Sequence, residues 1–326
     1  MSADCAVCYV SDLNFLLPTL VSAAGLRKFV PRHKADINIF LVDQDIQPFD
    51  MLNSFLKTYE INVLPLDSRS FSGFDAEKFK KSYLSTATLG RFFIEGQLPP
   101  SCKRIVYIDG DTWIRRDPSP LIDAVVPEGR FAAVEDMLTF RCGNLTSYAR
   151  SIKEHFNSLG LQRKFGYFNT GVFAVSRDTW RGLAAEGYRF FLENTAACTY
   201  HDQSALNAIM GDRRLPLSLK WNFQTSYRHL GIEKTVKPCI YHFSQFPKPW
   251  MGVCAPWEDI YPDYQAALVP FSSLQLPIRT LSAETINAHN AFVRKKFLPL
   301  KLPFVANLIA LTSGIVSLES KTWLAA

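Results

Sequence analysis

The sequence predicts an α/β protein whose mostly parallel central sheet carries helices on both faces. Three observations point there. Short, β-branched apolar runs recur between Cys5 and Val175. They are continuous, where a strand with one solvated face would alternate. Helix-like stretches separate them, and strand–helix alternation is the mark of a doubly wound sheet.

The elements follow in order. Cys5–Val10 reads as a strand and Leu16–Phe29 as the helix behind it; Ile37–Val42 and Pro48–Tyr59 repeat the unit. Ile61–Leu66 leads to a helix predicted over Tyr83–Glu95. Arg104–Ile108, Phe131–Val134 and Gly171–Val175 complete the strands, with Arg177–Glu193 and His201–Met210 as the closing helices. In such sheets ligands bind beyond the carboxyl ends of the strands. That rule singles out Ser11–Phe15 and Asp109–Asp111.

The chain has 326 residues, 48% hydrophobic and 20% charged, which suits one large folded domain, alone or with an appendage, and argues against disorder. Past Trp257 the strand signals fade and prolines recur (Pro262, Pro270, Pro277). The expected organisation is a domain over 1–257 and a C-terminal extension over 258–326. The cysteines number seven, an odd and widely spaced set. Cys5 and Cys8 have CxxC spacing, but they lie inside an apolar strand with no second CxxC, so buried thiols in a reducing compartment are expected. Met1-Ser2-Ala3-Asp4 has no basic segment and no apolar core of a secretion signal, which predicts a cytoplasmic protein. Leu302–Leu318 is uncharged but short for a membrane span and contains Pro303 and Gly314, so it is expected to pack or to lie at an interface.

Arg104-Ile-Val-Tyr-Ile-Asp109-Gly110-Asp111 is an apolar strand ending in two carboxylates. The glycine is expected to let the backbone turn so that both face one point. Hard oxygen ligands at a strand end suit Mg²⁺ or Mn²⁺, and such an ion neutralises a diphosphate. Asp-x-Asp alone is more often a turn or a helix cap. Far along the chain, Tyr241-His242-Phe243-Ser244-Gln245-Phe246-Pro247-Lys248-Pro249-Trp250 joins an imidazole, an ammonium and aromatics in one short segment. His242 as a third ligand shifts preference toward Mn²⁺; a histidine among aromatics is otherwise a satisfied core residue. Asn169 beside Gly171, and Asp202-Gln203 beside His201, offer side chains that bind sugar hydroxyls. Asp202 is equally placed to cap the helix that follows.

Taken in order, Ser11-Asp12-Leu13-Asn14-Phe15, Arg91, Asp109-Gly110-Asp111, Phe168-Asn169-Thr170-Gly171, His201-Asp202-Gln203, Trp221-Asn222 and His242…Lys248-Pro249-Trp250 resemble glycosyltransferase family 8 over roughly the first 250 residues. The resemblance implies a Rossmann-like nucleotide-sugar transferase fold of the GT-A type, a UDP-sugar donor such as UDP-galactose or UDP-glucose, Mn²⁺ as cofactor (Mg²⁺ also fits) and retention of anomeric configuration. It implies Asp109, Asp111 and His242 as metal ligands, Asp12 and Asn14 at uracil and ribose, and Phe15 on the base. Arg91 would contact the donor sugar near the diphosphate, and Lys248 the phosphate. Asp136 would face the sugar pocket, where Asn169, Asp202 and Gln203 would hold the transferred sugar; Asp136, Asp202 and Gln203 are the candidate catalytic residues. One position departs from the family pattern, which usually has glycine where this chain has Gln245. That departure motivates an alternative, a UDP-sugar-binding pseudoenzyme without transfer activity.

The formal net charge is +6, and Arg294, Lys295, Lys296 and Lys301 cluster among Phe292, Val293, Phe297, Leu298, Leu300 and Leu302. Basic plus apolar residues suit an anionic membrane surface. With the resemblance, this predicts a peripheral protein on the inner face of the membrane and a glycan or glycolipid acceptor, in a cell-surface polysaccharide or lipopolysaccharide. No nucleic-acid-binding module is present in the sequence.

Overall fold

The computed structural model describes residues 3–43, 50–71, 87–141, 147–162, 166–297, 305 and 314–324. Its strands are β1 (Cys5–Ser11), β2 (Asp36–Val42), β3 (Ile61–Leu66), β4 (Arg104–Ile108), β5 (Thr112–Ile114), β6 (Phe131–Glu135), β7 (Phe168–Ser176), β8 (Arg214–Leu217), β9 (Phe223–Gln224) and β10 (Ile240–His242). The longer helices are α1 (Leu13–Arg27), α2 (Asp50–Thr58), α3 (Ser147–Ser158), α4 (Arg177–Glu193), α5 (His201–Met210), α6 (Tyr261–Leu268) and α7 (Ala283–Phe297).

Seven strands form the main sheet in the order β3-β2-β1-β4-β7-β6-β8. It is mostly parallel. The exception is β7, which runs antiparallel to both β4 and β6. Alternation along β1 divides the core into two layers. Cys5, Val7 and Tyr9 face the layer that holds α1 and α6, while Ala6, Cys8 and Val10 face the layer that holds α4 and α5. The CxxC pair therefore sits on opposite faces of one strand and cannot share a metal. Both thiols are buried and free, and burial pushes Cys5 up to about 12.

Two expected elements differ. The single helix over Tyr83–Glu95 is absent from its described part: Ala87–Gly90 is one helical turn, and Arg91–Phe93 and Glu95–Gln97 are separate 3₁₀ turns. The backbone stays right-handed at Gly90 and Ile94 but tightens into 3₁₀ turns, and it turns extended at Leu98. The sixth predicted strand is longer than Gly171–Val175 and reaches back to Phe168, which carries Asn169 into the sheet.

A second, three-stranded sheet, β5-β10-β9, lies past the end of β4. Beyond residue 257, Tyr264 and Phe271 enter the same core layer as Trp113 and Trp257. Residues 314–323 return to the sheet edge. Glu319 accepts hydrogen bonds from Ser218 Oγ and Leu219 N, both at 2.7 Å, and Trp323 pairs with Leu217 beside β8. On α7, Arg294, Lys295 and Lys296 are exposed, as is Phe292, while Val293 is buried. Leu298, Leu300, Lys301, Leu302 and most of Leu302–Leu318 lie outside the described residues. Among the described residues no helix is long and apolar enough to cross a membrane.

Candidate active site

The site forms where parallel strands end. β4 pairs with β1, so Asp109 and the Ser11–Asp12 turn emerge at one edge of the sheet. The chain then turns through Gly110 and Asp111 into β5, and β5 pairs antiparallel with β10, setting His242 opposite Thr112. Phe243 N donates to Asp111 O at 2.9 Å and closes the corner. A residue more than 130 positions away is thereby placed beside the two aspartates by backbone register alone.

Asp109, Asp111 and His242 each offer a ligand atom, and all three atoms lie within 4.8 Å of one another. His242 Nε2 is 3.3 Å from Asp111 Oδ1 and 3.8 Å from Asp109 Oδ2. Two carboxylate oxygens and an imidazole nitrogen are a donor set that fits Mn²⁺ or Mg²⁺. A second observation supports the fit. A Cβ on Gly171 would stand 2.3 Å from His242 Cε1 and 2.7 Å from Asp109 Oδ2, so only glycine leaves these ligands room to converge.

Gly110 serves differently from the sequence expectation. Its backbone is not left-handed. A Cβ there would meet Thr19 Oγ1 of α1 at 2.1 Å, so the glycine permits close helix–turn packing.

Lys248 Nζ donates to Asp111 Oδ2 at 2.7 Å and to Phe243 O. Burial works against ionisation of Asp111, but the Lys248 ammonium at its carboxylate holds the group below the usual range. Arg91, 4% exposed, is a buried clamp. It reaches Asp109 Oδ1 at 3.0 Å, Asp202 Oδ2 at 3.2 Å and Thr170 O at 2.7 Å, with its guanidinium over the Tyr107 ring. Burial disfavours its charge, yet Asp202, Tyr107 and the two aspartates keep it firmly cationic.

Asp202 is not a helix cap. Tyr200 precedes α5 without a side-chain cap, and the Asp202 carboxylate, inside the first turn, accepts from Thr170 Oγ1 at 3.0 Å. The ion pair with Arg91 draws it inward instead. Burial pushes this carboxyl up to about 6, against the pull of Arg91. Just before it, His201 holds a left-handed φ of 50°, a strained conformation for such a residue.

Asp136 lies past the end of β6. Its carboxylate accepts from Leu138 N at 2.9 Å, Asn169 Nδ2 at 3.1 Å and Gln203 Nε2 at 3.4 Å, and burial raises it despite these donors. Asn169 also donates to Gln203 Oε1 at 3.0 Å. Asp136, Asn169 and Gln203 are thus bonded to one another, and Thr170 links them to Asp202 through its N–H to Gln203 Oε1 and its hydroxyl to Asp202.

The remaining candidates stand at the β1 end. Asp12 is the N-cap of α1: its carboxylate accepts from Phe15 N at 3.1 Å. Asn14 is exposed on the first turn. Phe15 meets the Trp250 ring edge-on, centroids 5.9 Å apart. Gln245 turns its side chain to Ser226 Oγ at 2.9 Å.

Three residues were given no role from sequence. Tyr107 donates to Asp109 Oδ1 at 3.0 Å; its signal was a tyrosine two positions before the aspartate, hence on the same strand face. Thr170 supports Asp202 and Arg91. Asn222 bridges Asn169 and His242, at 2.8 Å each, and its pairing with Trp221 carried no local hint of that.

Comparison with known proteins agrees with this architecture. The chain is 25% identical over 254 residues to General stress protein A of Bacillus subtilis (strain 168), covering 71% of this chain and 82% of that protein. It is 22% identical over 252 residues to Glycosyltransferase GlyD of Streptococcus pneumoniae serotype 4, covering 70% of this chain but 27% of GlyD. Among solved structures, galactosyltransferase LgtC in complex with donor and acceptor sugar analogs superposes with a TM-score of 0.64 at 16% identity, over 86% of this chain and 98% of LgtC. The apo form of GlyE from Streptococcus pneumoniae TIGR4 gives 0.55 at 17%, over 82% and 63%. The fold is that of GT-A glycosyltransferases. Residues 6–254, most of the chain, match the profile of Glycosyl transferase family 8, and the chain belongs to that family of glycosyltransferases.

Proposed function

We propose that this glycosyltransferase moves a hexose, galactose or glucose, from a UDP-sugar to a glycan acceptor with retention of configuration, and that it requires a divalent cation, Mn²⁺ in preference to Mg²⁺. The observation that carries the reading is the convergence of Asp109, Asp111 and His242 at the carboxyl end of β4. When bound there, the cation supplies Lewis-acid neutralisation of a departing diphosphate.

The chain's own groups do the rest. Lys248 spends two of its three N–H donors on Asp111 and Phe243, leaving one for a phosphate oxygen. Asp136, Asn169 and Gln203 orient sugar hydroxyls. Asp12, Asn14 and Phe15 receive the nucleoside where β1 ends. Double displacement would need Asp136 or Asp202 as nucleophile. Both are occupied by hydrogen bonds or an ion pair, which favours a front-face route. There the acceptor hydroxyl attacks from the leaving-group side and passes its proton to the departing phosphate oxygen. Catalysis is then mainly electrostatic.

The exposed Arg294, Lys295 and Lys296 of α7 support peripheral attachment to an anionic membrane and a surface glycan or glycolipid as acceptor. Replacing the three with glutamine should abolish flotation with anionic liposomes.

A panel of UDP-sugars scored for Mn²⁺-dependent donor hydrolysis tests the central reading without an acceptor. Turnover with UDP-galactose or UDP-glucose, lost on chelation, is the expected result. Donor binding with no hydrolysis of any sugar would favour the pseudoenzyme.

A further inference from the structure

The hydrogen bonds behind His242 have a fixed polarity. Two backbone N–H groups, which can only donate, set it. Gly171 N donates to Asn169 Oδ1 at 2.9 Å, and Thr170 N donates to Gln203 Oε1 at 3.3 Å. Each amide side chain is held in one of its two orientations. Asn169 accordingly aims Nδ2 at two acceptors, Asp136 Oδ2 and Gln203 Oε1. Its oxygen can only accept, so Asn222 meets it with the amide nitrogen, at 2.8 Å. That leaves Asn222 Oδ1 facing His242 Nδ1 at 2.8 Å. An amide oxygen only accepts, so Nδ1 carries the proton. In a neutral imidazole the other nitrogen is then bare. That nitrogen is Nε2, which faces Asp111 and Asp109.

The competing tautomer would place a proton on Nε2, between the imidazole and Asp111, where it blocks a cation. It would also turn the Nδ1 lone pair onto the Asn222 oxygen. Asn222 is 0% exposed and uses both ends of its amide, so no water relieves that repulsion.

We propose that Asn222 is a positioning residue. With Asn169 it relays the polarity of the Gly171 N–H to His242 and holds the imidazole as the Nδ1–H tautomer, with the Nε2 lone pair presented to a divalent cation. The inference rests on the metal site proposed above and deepens it. It gives Asn169 a second task, because one amide now serves both the sugar wall and the cation ligand.

Two measurements test it. The first is Mn²⁺ affinity, read by electron paramagnetic resonance of the free ion. Asn222→Ala should weaken binding by roughly 10–100-fold, the usual cost of losing a partner behind a metal ligand. Asn222→Asp should restore part of it, because one carboxylate oxygen still accepts from Nδ1–H while the other gives up the bond to Asn169 Oδ1. A merely space-filling role predicts the reverse order, since aspartate adds a buried charge; thermal melts establish that each variant is folded. Unchanged affinity in folded Asn222→Ala, or Asn222→Asp weaker than Asn222→Ala, overturns the proposal. The second measurement needs no variant at Asn222. In Zn²⁺-loaded protein with ¹⁵N-labelled histidine, long-range ¹H–¹⁵N correlation should show His242, assigned by its loss in His242→Gln, with its proton on Nδ1. A proton-free Nδ1 overturns the proposal. If the parent takes up no divalent cation, the metal-site reading fails. The same spectrum of the metal-free protein at alkaline pH then decides the relay: Nδ1–H supports it and Nε2–H overturns it.

Discussion

The proposed cation end and the proposed sugar end of the site are satisfied in opposite ways. At the cation end, Asp109, Asp111 and His242 converge lone pairs on one point, with compensation from the sides, through Arg91, Tyr107 and Lys248. At the sugar end, Asp136, Asn169, Gln203, Thr170 and Asp202 are bonded to one another. The first region gains from an added positive charge. The second already has its hydrogen bonds, so a sugar must replace contacts of comparable worth, about 1 kcal/mol net each. Binding strength should therefore come mainly from the diphosphate and its cation. Discrimination should come from the sugar wall, where a missing hydroxyl leaves a buried group unpaired.

The sharpest break of this contrast is at Asp111. Asp111→Asn removes the charge of a proposed ligand and the ion-pair partner of Lys248 together. Transfer should fall by about a thousandfold or more, as for a loss of ~4 kcal/mol of electrostatic stabilisation. Normal Mn²⁺-dependent turnover in that variant would show the cation end to be misassigned.

Next is Gly171. Gly171→Ala drives a methyl into His242 and Asp109. Calorimetric melts should show a loss of about 1–3 kcal/mol, the usual cost of overpacking. Mn²⁺ titration should show affinity down by roughly tenfold, ~1.4 kcal/mol. Intact Mn²⁺ affinity would mean that the ligands need not converge as they do here.

Asp202 probes the sugar end through pH. Its folded value of about 6 lies above the ~3.9 of an unfolded chain. Between those values the folded protein holds a proton that the unfolded chain has released. The contribution to stability is full below about pH 4 and is lost as pH rises through about 6, up to ~3 kcal/mol in all. Relative to the non-titrating Asp202→Asn, the parent's melting temperature should fall across that window and stay level above it. A parent that instead gained stability would show that Arg91, not burial, governs this carboxyl.

The smallest effect is expected at Gln245. Gln245→Gly gives up one hydrogen bond to Ser226, about 1 kcal/mol of stability. Donor affinity by calorimetry should change less than about fivefold, ~1 kcal/mol. A larger gain would mean that the family's glycine opens an approach to the phosphate that glutamine blocks.

The sheet was legible because strands buried on both faces write continuous apolar runs, as β1, β2 and β4 do. The direction of β7 was not, since an apolar run has no arrow. The role of Arg91 as a buried clamp was not legible from local pattern, which encodes no partners 18 and 111 positions away. The aspartates and His242 were legible as residue types. Their meeting was not, because it depends on the three-residue strands β5 and β10, too short to leave a periodic signal. Asn222 was visible only as a member of a family pattern. Its task is defined by the orientation of two other amides, a property of hydrogen-bond polarity that has no trace in residue spacing.

The return of residues 314–323 to the edge of β8 bears on how this enzyme can be handled. Glu319 ties down Ser218 and Leu219, and Asn222 follows three residues later through a single 3₁₀ turn. Trimming the protein behind α7 to test membrane attachment would cut that mooring, and the loss would be felt at His242. A truncated enzyme that stopped turning over would then be mistaken for one that had lost its lipid. Charge neutralisation on α7 leaves the mooring in place, so it is the cleaner instrument for separating where the enzyme sits from whether it works.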